Sequence, residues 1–333
     1  MSQVIVVGGY GHLGSRCVNE LVETTLAEVV VAGRSAQLAE RLALGYGDRV
    51  RSAYADASDA RTLHPVIPGA DCLVLCSGPD CLPALEIALE ARVACIVVGP
   101  VGLERTSRRI LSERAWSAQV PIVLEAGAVP GLAGVAAEQL VRALPEIEAL
   151  RIASTGPWVR TRASRSSVEA AREALGRARQ YRDGEWLPAA RGRRVRLDVP
   201  GPLGRQRLRP ISAPELDGFP EAHCVGSLVY LEPTRGPLES AMEWVAGARP
   251  PSSFVLRAEA TGPAQQEAFV QIEADDPSQA AAASLGALVQ AALSGHIAAG
   301  VSAPSEALNP AAHLAALEKR GLRVTVSIPG SES

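Results

Sequence analysis

The chain has 333 residues, 47% hydrophobic and 21% charged, with a formal net charge of −3. That length suffices for two domains with substantial cores, and a balance so near neutral excludes a general pull toward nucleic acid or a membrane surface. No apolar run approaches the roughly 18 residues of a membrane span, and no basic segment with a cleavage site precedes the first strand, so a cytoplasmic protein is expected.

In chain order, Val4 to Val7 is a short β-branched run that leads into Gly8-Gly9-Tyr10-Gly11-His12-Leu13-Gly14. A helix is predicted from Gly11 to Thr24, and a second strand, Val29 to Ala32, ends in Gly33-Arg34-Ser35. This strand, glycine turn, helix and strand form the fingerprint of a dinucleotide-binding fold. Gly9 allows the tight turn, Gly11 lets a pyrophosphate approach the backbone, and Gly14 lets the helix pack close to the sheet. Tyr10, His12 and Leu13 complete the loop, with His12 expected above the pyrophosphate. The helix aims its free N–H groups at the phosphates. NAD-specific folds carry an acid near the end of the second strand. Here Arg34 offers a planar fork and Ser35 a hydroxyl to a 2′-phosphate, so NADP(H) is the expected cofactor.

Further strand-like runs are Val50–Tyr54, Cys72–Cys76, Cys95–Val98 and Ile122–Glu125, with helices at Ala36–Leu44 and Pro83–Ala91. Six strands alternating with helices predict an α/β architecture, a doubly wound parallel Rossmann sheet over residues 1–145. Ligands bind beyond the C-terminal ends of such strands. Asp56, Ser77, Gly78, Pro79, Gly127, Pro130 and Gly131 are therefore further cofactor candidates. Glu125, at the end of the sixth strand, is the candidate catalytic residue.

From about Glu146 the runs become alternating: Leu150–Ser154, Val195–Val199, Val225–Leu231, Ser253–Ala260 and Ala268–Ala274. Alternation predicts an antiparallel or mixed sheet with one solvated face, in an inserted α+β substrate or dimerisation domain over residues 146–295. Helices are predicted at Ser166–Tyr181, closed by Asp183-Gly184, and at Pro277–Ser294. The uncovered sheet face suggests a homodimer. Between Arg151 and Pro210 stand 15 arginines against 5 acids. Arg160 and Arg162 are candidates for holding a substrate acid through bidentate forks. The lack of interleaved aromatics argues against nucleic acid.

Cys72-x3-Cys76-x4-Cys81 matches no zinc pattern, so no metal is expected. Cys72, Cys76, Cys81 and Cys95 read as small buried thiols. The pair His223-Cys224 lacks an identifiable acid partner, and Cys224 is expected to begin a strand. The single lysine, Lys319, leaves no P-loop lysine and no Tyr-x-x-x-Lys pair.

Four segments together resemble the saccharopine dehydrogenase-like family of NADP-dependent reductases. They are the glycine loop with Ala32-Gly33-Arg34, then Glu125-Ala126-Gly127-Ala128-Val129-Pro130-Gly131-Leu132, then Tyr181-Arg182-Asp183-Gly184-Glu185-Trp186, and finally Gly300 to Pro304 followed by Leu314 to Arg323. The resemblance implies hydride transfer between NADPH and a C=N bond of a small amine or amino-acid-like substrate. It also implies a C-terminal segment, 296–330, that returns to the nucleotide domain. Some relatives are trans-acting enoyl reductases, which act on C=C bonds of carrier-bound or lipid substrates. Val129 and Val98 stand where relatives often carry an acid, which favours a less charged substrate. A non-catalytic NADP(H)-binding sensor or scaffold is the alternative of another class.

Overall fold

The computed structural model describes residues 2–78, 80–101, 103–155, 177–189, 195–199, 204–212, 214–233 and 254–329. Arg160, Arg162 and Pro79 lie outside the described residues.

The first sheet is built from β1 (Gln3–Val7), β2 (Glu28–Gly33), β3 (Val50–Tyr54), β4 (Cys72–Leu75), β5 (Ala94–Val97) and β6 (Pro121–Val123). All neighbours are parallel, in the order β6-β5-β4-β1-β2-β3. The runs are apolar throughout because both faces are covered. Val4, Val6, Val29, Val31 and Val74 pack on one side against α1 (His12–Thr24) and α2 (Ala36–Ala43). Ile5, Val7, Leu73, Leu75 and Val97 face the other way, toward α3 (Leu82–Glu90) and α4 (Arg105–Ala118).

After β6 the chain turns through residues 128–132 into α5 (Ala133–Ala143) and enters a second, nine-stranded mixed sheet. Its strands are β7 (Ala149–Ser154), β8 (Arg179–Arg182), β9 (Glu185–Pro188), β10 (Val195–Val199), β11 (Gly204–Ile211), β12 (Ser227–Pro233), β13 (Phe254–Thr261) and β14 (Glu267–Ala274), with one more at the C-terminus. β7 pairs β12 in parallel and β13 antiparallel. The inner face, with Ile152, Leu256, Ala258, Val270 and Ile272, closes on Val135, Ala136 and Leu140 of α5.

Five expectations change. The helix foreseen over Ser166–Tyr181 is not helical at residues 177–181, which lead into and form strand β8. Asp183 and Gly184 take positive φ values of 54° and 84°, which is a hairpin turn that places Tyr181 opposite Trp186. Their rings meet edge-on at 5.6 Å, a cross-strand pair that supports the hairpin, and residues 166–176 of the expected helix lie outside the described residues.

Cys224 does not begin a strand. It is the left-handed end of a short helix, Phe219–His223, and β12 starts three residues later. His223 has an acid partner after all: its Nε2 lies 3.0 Å from Glu138 Oε2 of α5.

Helix α6 (Pro277–Leu293), expected within the second domain, serves both cores. Ala280, Ala281 and Ala283 face the second sheet's core, and Leu285, Leu288 and Val289 that of the first sheet beside α1. A helix apolar on all sides can be buried between two units.

The C-terminal segment is divided as well. β15 (Gly300–Ser302) joins β6 in parallel as a seventh strand of the first sheet, whereas β16 (Arg323–Ser327) pairs antiparallel with β14. β16 occupies what would otherwise be an open edge, and Val324 packs on the inner core beside Leu317 of α7 (Pro310–Glu318).

Candidate active site

The glycine loop lies where β1 ends and α1 begins. A Cβ at Gly14 would stand 2.1 Å from the Gly8 carbonyl oxygen and 2.7 Å from Gly9 Cα, so helix and loop touch backbone to backbone. That approach leaves the α1 N–H groups facing the space beyond the loop, a cradle suited to a pyrophosphate. Tyr10 lays its ring on Gly33: a Cβ there would stand 2.4 Å from Tyr10 Cε1. The Tyr10 hydroxyl accepts from the Ser35 backbone N–H at 2.9 Å. Ser35 Oγ caps α2 by accepting from Leu38 N–H at 3.3 Å, and the neighbouring Arg34 side chain is exposed.

His12 does not sit alone on the loop. Its Nε2 is 2.8 Å from Ser278 Oγ, at the start of α6. Asp276, the N-cap of α6, accepts from Ser278 and from Gln279 N–H, and takes Arg16 of α1 at 2.6 Å. Burial pushes the Asp276 carboxyl up, but these hydrogen bonds and Arg16 outweigh it and hold it below the usual range. Leu13 is half-buried against both neighbouring cores. Asp56, past the end of β3, accepts from Ser58 N–H at 3.0 Å and Ser58 Oγ at 2.8 Å, a local turn contact. Past β4, Ser77 is exposed, and Gly78 has φ +101°.

Glu125 follows β6 in a left-handed conformation, φ +61°, and is 5% exposed. A non-glycine residue held there reflects strain of a kind that clusters at functional sites. Burial pushes its pKa up, and Arg108 of α4, 3.2 Å away, pulls it down. Gly127 and Pro130 flank the turn. Gly131 has φ +127°, and a Cβ there would come within 2.9 Å of the Glu125 carbonyl oxygen. Only glycine fits that position.

Sequence reasoning missed the partner that the second sheet brings to this turn. Glu215, from the connection after β11, accepts from Gly131 N–H through Oε1 at 3.2 Å across 84 residues. Part of the residue reaches the surface, yet Oε2 is shut off from solvent and has no hydrogen-bond partner among the described residues. Burial pushes the Glu215 pKa up to about 8, assisted by the nearby charges of Glu125 and Asp217. Asp217 is itself paired with Arg179 at 2.6 Å. The sequence signal was thin: Pro214-Glu215-Leu216-Asp217-Gly218 reads as a turn, and nothing in its spacing ties it to Glu125.

The site therefore joins two carboxyl groups, one arginine and a glycine-shaped turn at the C-terminal edge of the parallel sheet, where such folds bind ligands. A groove of about 480 Å³ lies elsewhere, on the outer face of the second sheet beside Arg151, Arg182, Arg257 and Glu259. Among the described residues, no group of three His, Cys, Asp or Glu side chains could hold a metal ion. Cys72, Cys81 and Cys95 are buried and Cys76 half-buried, and burial pushes the Cys72 and Cys81 thiols up to about 12.

No protein-family model matches the chain, and no curated protein matches it by sequence. Solved structures do match. Saccharopine dehydrogenase (L-Glu forming) from Saccharomyces cerevisiae aligns over 98% of this chain and 100% of its own, with TM-score 0.75 and 11% identity. A probable dehydrogenase from Thermotoga maritima aligns over 97% and 98%, with TM-score 0.52 and 12% identity. GenD2 from gentamicin A biosynthesis, solved with NAD, aligns over 98% and 96%, with TM-score 0.51 and 15% identity. The described residues have the fold of saccharopine dehydrogenase, the family that the four sequence segments resemble.

Proposed function

We propose that this protein is an NADP(H)-dependent oxidoreductase that reduces an imine C=N bond, or runs the reverse reaction, on a small amine or amino-acid-like compound. The observation that carries the reading is the carboxyl pair Glu125–Glu215 at the edge of the parallel sheet, with one carboxyl oxygen left unpaired. An imine or amine nitrogen is basic and cationic when protonated, so it matches a pocket with two carboxyl groups and one arginine. When bound, the dinucleotide supplies hydride; the protein positions the substrate and excludes water.

The glycine loop from Gly9 to Gly14 would hold the pyrophosphate. Arg34 and the Ser35 hydroxyl would hold a 2′-phosphate. Tyr10 adds support for NADP(H), because its ring fills the space above Gly33 that an acidic side chain would need. The full-length fold shared with a saccharopine dehydrogenase and with other dehydrogenases fits this reading.

Val98 and Val129, both half-buried, favour one second reading, an enoyl reductase. NADPH consumption with a panel of cyclic and acyclic imines, set beside enoyl thioesters, separates the two. Turnover of imines alone is expected; turnover of thioesters alone would replace this reading by the second. We also read the outer face of the second sheet as a homodimer surface, and light scattering should then give about twice 34.8 kDa. The free thiols suit a reducing compartment such as the cytoplasm, and no helix among the described residues is long and apolar enough to cross a membrane.

A further inference from the structure

We propose that Glu215 is the group that exchanges a proton with the substrate nitrogen, and that Glu125 serves to keep that proton in place. The inference rests on the C=N reading given above. Its geometric basis is the asymmetry of the Glu215 carboxyl. Oε1 is fixed by the Gly131 N–H at 3.2 Å, while Oε2 is buried with no partner among the described residues. A buried polar atom left without a partner costs free energy, which a proton on that oxygen and a basic atom beside it would recover.

The groups around it agree. Glu125 faces Glu215 from the turn after β6, Asp217 lies on its own loop, and the Tyr230 hydroxyl of β12 is near enough to feel its charge. Tyr230 is already engaged, donating to Ser154 Oγ at 2.9 Å. Arg108 is spent on Glu125 and Arg179 on Asp217. Two carboxyl groups next to each other cannot both ionise freely, so the one without a cation keeps its proton. That one is Glu215, whose carboxyl burial holds protonated up to about pH 8.

The balance is simple. Hydride from the reduced nicotinamide adds to the imine carbon, the C=N π pair takes the proton from Glu215 Oε2, and the products are the secondary amine, oxidised nicotinamide and a Glu215 carboxylate. Solvent restores the proton once product leaves. The reverse reaction uses the same carboxylate as a base toward the amine.

The test uses the full chain, with 2-methyl-1-pyrroline as the imine probe, and has a readout that needs no turnover. Infrared difference spectra of the protein at pH 7 should show the carbonyl stretch of an un-ionised carboxyl, absent in Glu215→Gln and titrating at lower pH in Glu125→Gln. Glu215→Gln should bind NADPH as the wild type does and lose about 10²- to 10⁴-fold in kcat. Wild-type kcat/KM for reduction should fall above about pH 8, and the variant should lack that limb. An ionised Glu215 at pH 7, or Glu215→Gln turning over within a few-fold of wild type, would overturn the assignment while leaving the C=N reading standing. A protonated Glu215 in a protein that binds NADPH but reduces no imine would instead overturn the C=N reading, and the proton's proposed destination with it.

Discussion

The Tyr10 hydroxyl accepts a hydrogen bond from the Ser35 N–H at 2.9 Å, tying the glycine loop to the end of the second strand. This bond fixes where Arg34 and Ser35 stand relative to the loop. It separates two roles. On the NADP(H) reading Arg34 would meet the 2′-phosphate, while Tyr10 sets the loop. Arg34→Ala should weaken NADPH binding by about 1.5–3 kcal/mol, roughly 10- to 100-fold, and leave NADH unchanged. Tyr10→Phe keeps the ring on Gly33 and deletes one acceptor, so both nucleotides should weaken alike, by about 1 kcal/mol. Fluorescence titration of both nucleotides on both variants checks the contrast. A Tyr10→Phe protein that changes the NADPH-to-NADH ratio would refute the division of roles.

Gly14 is the tightest point of the loop. A methyl group there would overlap the Gly8 carbonyl oxygen at 2.1 Å and must push α1 off the strand. Gly14→Ala should abolish measurable binding of both nucleotides, with circular dichroism still showing a folded protein. Binding close to that of wild type would mean that α1 can shift without moving its N–H groups.

Far from the site, Arg320 Nε meets Glu20 Oε1 at 2.9 Å, with side-chain exposures of 6% and 14%. The pair lies over Gly286 of α6, where a Cβ would come within 2.7 Å of Glu20 Cγ. It joins α1, α6 and the end of α7. Arg320→Met leaves a buried carboxylate without its cation and should cost about 3–5 kcal/mol, while pairing it with Glu20→Met should recover most of that loss. Denaturant unfolding of the two variants measures the difference, and a double mutant as unstable as the single one would contradict it.

His313 of α7 is fully buried, with Nε2 3.1 Å from Ser284 Oγ of α6. Burial lowers its pKa from the ordinary 6.5 to about 4. The folded chain then binds fewer protons than the unfolded chain between those values. Stability is therefore full above pH 6.5 and is lost as the pH falls toward 4, by up to roughly 3 kcal/mol. His313→Gln keeps a polar partner for Ser284 and removes the titration. Its Tm should fall less than that of wild type between pH 7 and pH 4. Parallel falls would show that carboxyl groups alone set the acid limb.

Local rules in the sequence determined the half that holds the parallel sheet. Each strand of the first sheet is an apolar run bounded by a turn, and the glycine loop needs contacts only within the first 35 residues. β1, β2 and α1 were legible for that reason, as was the position of Glu125 at the end of a strand. Tertiary structure decided the rest, because the information was relational. Tyr181 and Trp186 became a hairpin only by pairing across Asp183-Gly184. The alanine-rich helix 277–293 could be buried against either core, and its pattern does not say that it touches both. Glu215 could not be chosen from among the acids by any spacing. It acquires its meaning when the connection after β11 brings it to the Gly131 N–H and beside Glu125, where one buried carboxyl oxygen is left without a partner among the described residues. A buried charge is expensive only in the company that the fold assembles around it.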